Sequence, residues 1–151
     1  MAAFSIGITG LDALRAKFAN ASDRLEKHVA QSINQTLVLI QQDAKSEVKY
    51  KSGALQRSIT HRNVDKKTLT GYVSAGNKSV KYAPYVEFGT RFNINLPPLV
   101  NISPGEQSKF ARQYMVQSPK KFTNQATRPF LMTSFDKRYS QLLYTIKEFK
   151  I

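Results

Sequence analysis

Apolar positions change their spacing repeatedly along this chain, and each change marks an element. Phe4, Ile6 and Ile8 alternate with small or polar residues, which predicts a short N-terminal strand. Thr9-Gly10-Leu11-Asp12 has the spacing of a capping box, in which the Thr9 hydroxyl meets an early backbone N–H and Asp12 reaches back. Beyond it Leu11, Leu14, Phe18, Leu25, Val29, Ile33, Leu37, Ile40, Ala44 and Val48 recur at steps of three, four or seven, the apolar stripe of a long amphipathic helix. Asn20-Ala21-Ser22-Asp23 interrupts that stripe, and Asn, Ser and Asp favour caps over helix interiors. The expectation is a short helix followed by a long one, or one helix kinked at that point.

Ser52-Gly53 ends the helical region. Alternating segments around Ser58 to Val64, Leu69 to Ala75 and Lys81 to Phe88, with turns at Asp65-Lys66-Lys67 and Gly76-Asn77-Lys78, predict a three-stranded antiparallel meander. One face of that sheet would pack on the long helix. From Arg91 to Thr127 no period is sustained, and Pro97-Pro98, Pro104-Gly105 and Pro119 mark a long loop excursion. Leu131, Phe135, Tyr139, Leu142, Ile146 and Phe149 then step by three or four. They predict a C-terminal helix, with Pro129 at a place helix starts tolerate. The fold class is α+β: a long helix on a small antiparallel sheet, an excursion over about 91–127, and a closing helix. Residues 1–151 form a single domain, a length that buries roughly two-thirds of its unfolded surface.

Composition narrows the chemistry. The absence of cysteine excludes disulfides, thiolate metal sites and cysteine nucleophiles, and fits a reducing compartment. No apolar run approaches the roughly 20 residues that span a bilayer, so the chain reads as soluble and unexported. The formal net charge of +13 attracts polyanions and makes identical subunits repel unless something acidic lies beside them.

Catalysis needs a cluster of proton-transferring, nucleophilic or metal-holding groups, and none is evident. His28 and His61 have no carboxylate or second histidine at ligand spacing. Asp43 and Glu47, one helical turn apart and interspersed with Lys45 and Lys49, read as a salt-bridged face. Gly71, Gly76 and Gly89 are isolated and make no phosphate-cradling loop. No cofactor is expected. Basic residues cluster around the first hairpin (Lys45, Lys49, Lys51, Arg57, Arg62, Lys66, Lys67) and in the excursion (Lys109, Arg112, Lys120, Lys121, Arg128). Phe110, Tyr114 and Phe122 lie among the second set. Sequence-independent nucleic-acid binding is therefore one reading, and docking to an acidic protein surface the other.

Tyr82-Ala83-Pro84-Tyr85-Val86-Glu87-Phe88-Gly89-Thr90 is the most distinctive stretch: an aromatic, strand-like run ending at a glycine expected to take positive φ. In a strand, Tyr85 and Glu87 would share one face and Val86 would take the other. Together with Lys51-Ser52-Gly53-Ala54-Leu55-Gln56-Arg57-Ser58-Ile59, Arg128-Pro129-Phe130-Leu131 and Gly10-Leu11-Asp12-Ala13-Leu14, it resembles a family of small virion proteins of long-tailed bacteriophages. These are the tail-component or neck proteins that join the DNA-filled head to the tail. Met132-Thr133 departs from that pattern, where a proline and a small residue are more usual, and the excursion is longer than the family's short link. The resemblance implies a non-enzymatic homo-oligomeric ring in the virion at the head–tail junction, assembled in the host cytoplasm. Its partners would be connector, head-closure or tail-terminator and tail-tube proteins, with non-specific contact to genomic DNA as a further option and no membrane. The residues expected to serve both the fold and intersubunit packing are Tyr82, Tyr85, Glu87, Phe88 and Gly89, with Glu87 meeting a neighbour's Lys or Arg. The excursion lies outside what the resemblance carries over; its basic charge alone adds Lys109, Arg112, Lys120 and Lys121 as residues expected to reach an adjacent ring.

Overall fold

The computed structural model describes residues 11–48, 53–65, 67–90, 96, 98–115 and 126–149. In chain order these form α1 (Leu11–Glu47), α2 (Ala54–Ser58), β1 (Thr60–Asp65), β2 (Thr70–Ser74), α3 (Ala83–Phe88), α4 (Pro104–Met115) and α5 (Leu131–Lys147). The expected N-terminal strand, the Thr9 cap, and Lys120 and Lys121 lie outside the described residues.

The apolar stripe does produce one long helix. The 37 residues of α1 are continuous through Asn20-Ala21-Ser22-Asp23, where solvent exposure lets the polar side chains face water instead of breaking the ladder. At about 1.5 Å per residue α1 is roughly 55 Å long. The closing helix α5 runs antiparallel to its C-terminal half. His28 Nε2–H donates to the Thr145 carbonyl (3.0 Å) near one end, Arg138 clamps Asp43 in the middle, and Glu47 meets Thr133 and Lys137 at the other end. Asp43 and Glu47 thus form a salt-bridged face with partners from α5.

The sheet has two strands, not three. Thr60 pairs with Ser74, His61 with Val73 and Arg62 with Tyr72, and a bulge shifts the register before Asp65 pairs with Thr70. One face of the hairpin (His61, Val64, Gly71, Val73) is half-buried and the other exposed, the alternation of a ribbon laid on a helix. Contacts fix where it lies on α1. Asn34 Oδ1 accepts the Val64 N–H at 2.8 Å, and Gln41 accepts His61 Nδ1–H at 2.7 Å while donating to the Ile59 carbonyl at 2.8 Å. Gly71 allows that approach, because a Cβ there would stand 2.5 Å from the Leu37 side chain.

The segment expected as the third strand is a helix. In α3, Tyr82 caps the N-terminus, Pro84 sits in the first turn and Gly89 terminates it, an arrangement that suits proline at a helix start and glycine at its end. Its side chains are buried or half-buried on every side, so the aromatic and β-branched content that mimicked a strand reflects burial rather than pleating. The excursion likewise contains a helix. α4 opens with a capping box in which the Ser103 hydroxyl donates to Glu106 (2.8 Å) and accepts the Glu106 N–H (3.3 Å). Gln107 and Ala111, one turn apart, are the buried positions among its described side chains.

Two apolar clusters tie these pieces together. Ala44 and Val48 of α1 meet Leu55, Ile59, Val80, Ala83 and Phe130, with Tyr82, Val86 and Leu131 around them. Phe88, Ala111, Leu96 and Met132 join α3, α4 and α5.

Candidate functional site

The distinctive aromatic stretch and the Arg128-Pro129-Phe130-Leu131 segment are far apart in sequence and adjacent in space. Arg128 N–H donates to the Val86 carbonyl at 2.9 Å, which sets the incoming chain against α3. Phe130 then enters the core, 2% exposed, and α5 begins. Neither Phe130 nor any other side chain of its own turn caps α5. The cap comes from α3. Glu87 Oε2 accepts the N–H groups of Phe130 (2.8 Å) and Leu131 (3.0 Å), and Oε1 accepts that of Met132 (2.8 Å). A carboxylate at this end of a helix satisfies orphan donors and meets the positive end of the helix dipole.

Glu87 is only 3% exposed, so two effects compete for its proton. Burial, the larger, pushes its carboxyl above the ordinary value; the three N–H bonds oppose this, and the charge of Glu47 adds a small upward push. Both Glu87 oxygens are engaged by the α5 backbone inside the chain, so the expected ion pair with a neighbour's cation would have to share them. Tyr85 and Phe88 are buried as well, Tyr82 is half-buried against the first cluster, and all three serve the subunit's own core. Gly89 has φ 75° and ψ −169°, the positive φ anticipated for it, in a region that a side chain strains to enter.

Acidic side chains elsewhere follow the same habit. Asp136 of α5 accepts the N–H groups of Val100 (3.2 Å) and Asn101 (2.8 Å), tethering the chain just ahead of α4, and Asp65 accepts that of Lys67 (2.9 Å). Glu106 serves the α4 cap and Glu148 the Tyr144 hydroxyl. Arg138 holds Asp43 through two bonds, Nε to Oδ2 (2.7 Å) and Nη2 to Oδ1 (3.0 Å), which lower the Asp43 carboxyl below its ordinary range. The +13 charge is already the balance of 23 cations against 10 acids, and several of those acids have their oxygens engaged by backbone and hydroxyl donors. Lys109 and Arg112 stand exposed on α4 beside the exposed Phe110, and Arg62 and Lys67 are exposed on the hairpin. Arg62 also donates to the Tyr72 hydroxyl at 3.0 Å across the outer face of the sheet.

Among the described residues no group of three His, Asp or Glu side chains could hold a metal ion. None of the described helices is long and apolar enough to cross a membrane. Sequence reasoning missed Phe130 as the core anchor, Asp136 as a tether and the Ser103–Glu106 box; only the last carried a local signal, Ser-Pro-Gly-Glu.

Comparison with curated proteins and with solved structures yields no match. A family model does match, over residues 12–89, from the first turn of α1 to the glycine that ends α3. That span is a little over half of the 151 residues, and it contains Glu87 but not the backbone that Glu87 caps. The chain belongs to the HK97-gp10-like family, described as "Bacteriophage HK97-gp10, putative tail-component", and is a phage tail component.

Proposed function

We infer that this phage tail component is a non-enzymatic ring subunit at the head–tail junction, where it links connector or head-closure proteins to the tail terminator or tail tube. Family membership supports the phage structural role. The observation that carries the finer reading is the separation between motif and surface. The aromatic motif residues are buried in the subunit, while the cations of α4 and the hairpin are displayed and the acids are occupied with caps and tethers. Contact with neighbours is therefore made by charge and by helix and sheet surfaces, not by the motif itself. Exposed charges of this kind steer association and select an acidic partner surface.

The same display suits a polyanion, so sequence-independent nucleic-acid binding is the second reading. Negative-stain electron microscopy of the purified protein, with duplex DNA titrated at two salt concentrations, separates them. Rings that persist in high salt and ignore DNA support the structural role. A monomer whose DNA affinity falls steeply with salt overturns it in favour of the second.

A further inference from the structure

β1 is engaged along its length by α1, through Asn34, Gln41 and the Ile59 carbonyl that precedes the strand. β2 pairs with β1 and, among the described residues, with no other strand. Its outer edge offers a row of backbone donors and acceptors to any strand that can reach it. Residues 3–8 are the segment of this chain with matching chemistry. Phe4, Ile6 and Ile8 alternate with Ser5 and Gly7, so a strand made from them would extend the half-buried face of Gly71 and Val73 with apolar side chains. The segment carries no charged side chain, so it joins a strongly basic subunit without like-charge repulsion.

It cannot do so within its own chain. The hairpin sits on α1 at the level of Asn34 to Gln41, with Gly71 against Leu37. From Leu11 to Leu37 the helix advances about 39 Å at its standard rise. Residue 3 lies eight residues before Leu11, and even a fully extended chain of that length spans only about 28 Å. The N-terminal part of α1 is itself solvent-facing: from Lys17 to Lys27 every residue is exposed except the half-buried Ala21. Phe18 and Leu25, on the apolar stripe, are 68% and 43% exposed.

We propose that residues 3–8 of one copy add as a third strand to the free edge of β2 in the neighbouring copy. This rests on the ring reading and deepens it. The contact joins unlike surfaces, head to tail, and such contacts close into rings when the rotation permits. The exposed N-terminal part of α1 then lies across the neighbour, with Phe18 and Leu25 covered.

The native chain has no cysteine, so engineered thiols report the contact cleanly. Protein carrying Ser5→Cys, on the face opposite Phe4 and Ile6, is mixed with protein carrying a single cysteine at Thr70, Tyr72 or Ser74 on the matching exposed face of β2, assembled, oxidised and run on a non-reducing gel. Covalent mixed dimers are expected for at least one position. The independent variant is Ile6→Pro, which removes a ladder N–H without touching α1. It should leave thermal unfolding of the subunit unchanged and raise the concentration needed for assembly at least about tenfold. Rings that form normally with Ile6→Pro, and no mixed dimer at any of the three positions, would overturn the proposal while leaving the ring reading intact. A wild-type protein that stays monomeric at every concentration and in the particle would overturn both. Cross-linking within one chain of a double-cysteine variant would show pairing in cis and refute the reach argument.

Discussion

Replacing Glu87 with alanine removes the acceptor of three backbone N–H groups at once. The Phe130 N–H is inside the core, and leaving such a donor unpaired costs about 2 kcal/mol. Leu131 and Met132 are half-buried, so water recovers part of their bonding and each contributes about 0.5 to 1 kcal/mol. Loss of the negative charge at the helix start adds about 0.5 kcal/mol, and relief of the buried carboxylate's desolvation returns a comparable amount. The expected loss is therefore about 3 kcal/mol, a large share of the 5–15 kcal/mol typical of a domain. With a urea slope of about 2 kcal/mol/M, the unfolding midpoint should fall by about 1.5 M. Amide exchange adds a local readout: the N–H groups of residues 130–132 should lose protection first, with the start of α5. A loss below about 1 kcal/mol with those amides still protected would mean that the carboxylate is not the α5 cap in solution, and the intersubunit role for Glu87 would reopen.

Glu87 also gives a pH dependence whose sign is fixed by burial. Its carboxyl is raised, so the stability it contributes is present below the ordinary carboxyl value and lost as pH rises through the raised one. Glu87→Gln should therefore cost more at about pH 4 than at about pH 8 by chemical denaturation, and the reverse trend would show that the N–H bonds outweigh burial. Asp43 has the opposite sign: the Arg138 bonds lower it, and their contribution is lost as pH falls below the ordinary Asp value. Arg138→Ala should destabilise by about 1 kcal/mol, modest because the pair is partly solvated, and should flatten the acid limb of the stability profile. Gly89→Val should cost about 1–3 kcal/mol through backbone strain, and unchanged melting would show that the positive φ is not required. Reversing Lys109 and Arg112 to Glu should leave melting unchanged yet yield tailless particles in electron micrographs; normal tailing would remove α4 from the joining surface.

The long elements were legible because they repeat one rule many times. In α1 and α5 the three-and-four spacing outweighs a few unfavourable residues such as Asn20 or Ser22. The hairpin was legible from its alternation and its Asp65 turn. Short elements repeat nothing, and α3, six residues buried on nearly every side, shows neither period; its Pro84 and Gly89 were better guides than its aromatics. α4 was hidden for the opposite reason, since its buried positions among the described side chains are Gln107 and Ala111, which carry little apolar signal. The role of Glu87 was beyond reach of any window, because its partners lie more than forty residues away. Recognising that two motifs keep company showed that they matter together, but not that one is the cap of the other.

That cap also sets an order of events during synthesis. A ribosome completes α3 long before it reaches Met132, and at about 5–20 residues per second the delay is some seconds. Throughout it the emerging chain holds an acid destined for the interior with none of its donors yet made. A product that stops anywhere before α5 lacks all three bonds and should be less stable by about the 3 kcal/mol expected for Glu87→Ala. The subunit thus gains the contribution of this cap late, in a single step, when the start of α5 arrives beside α3.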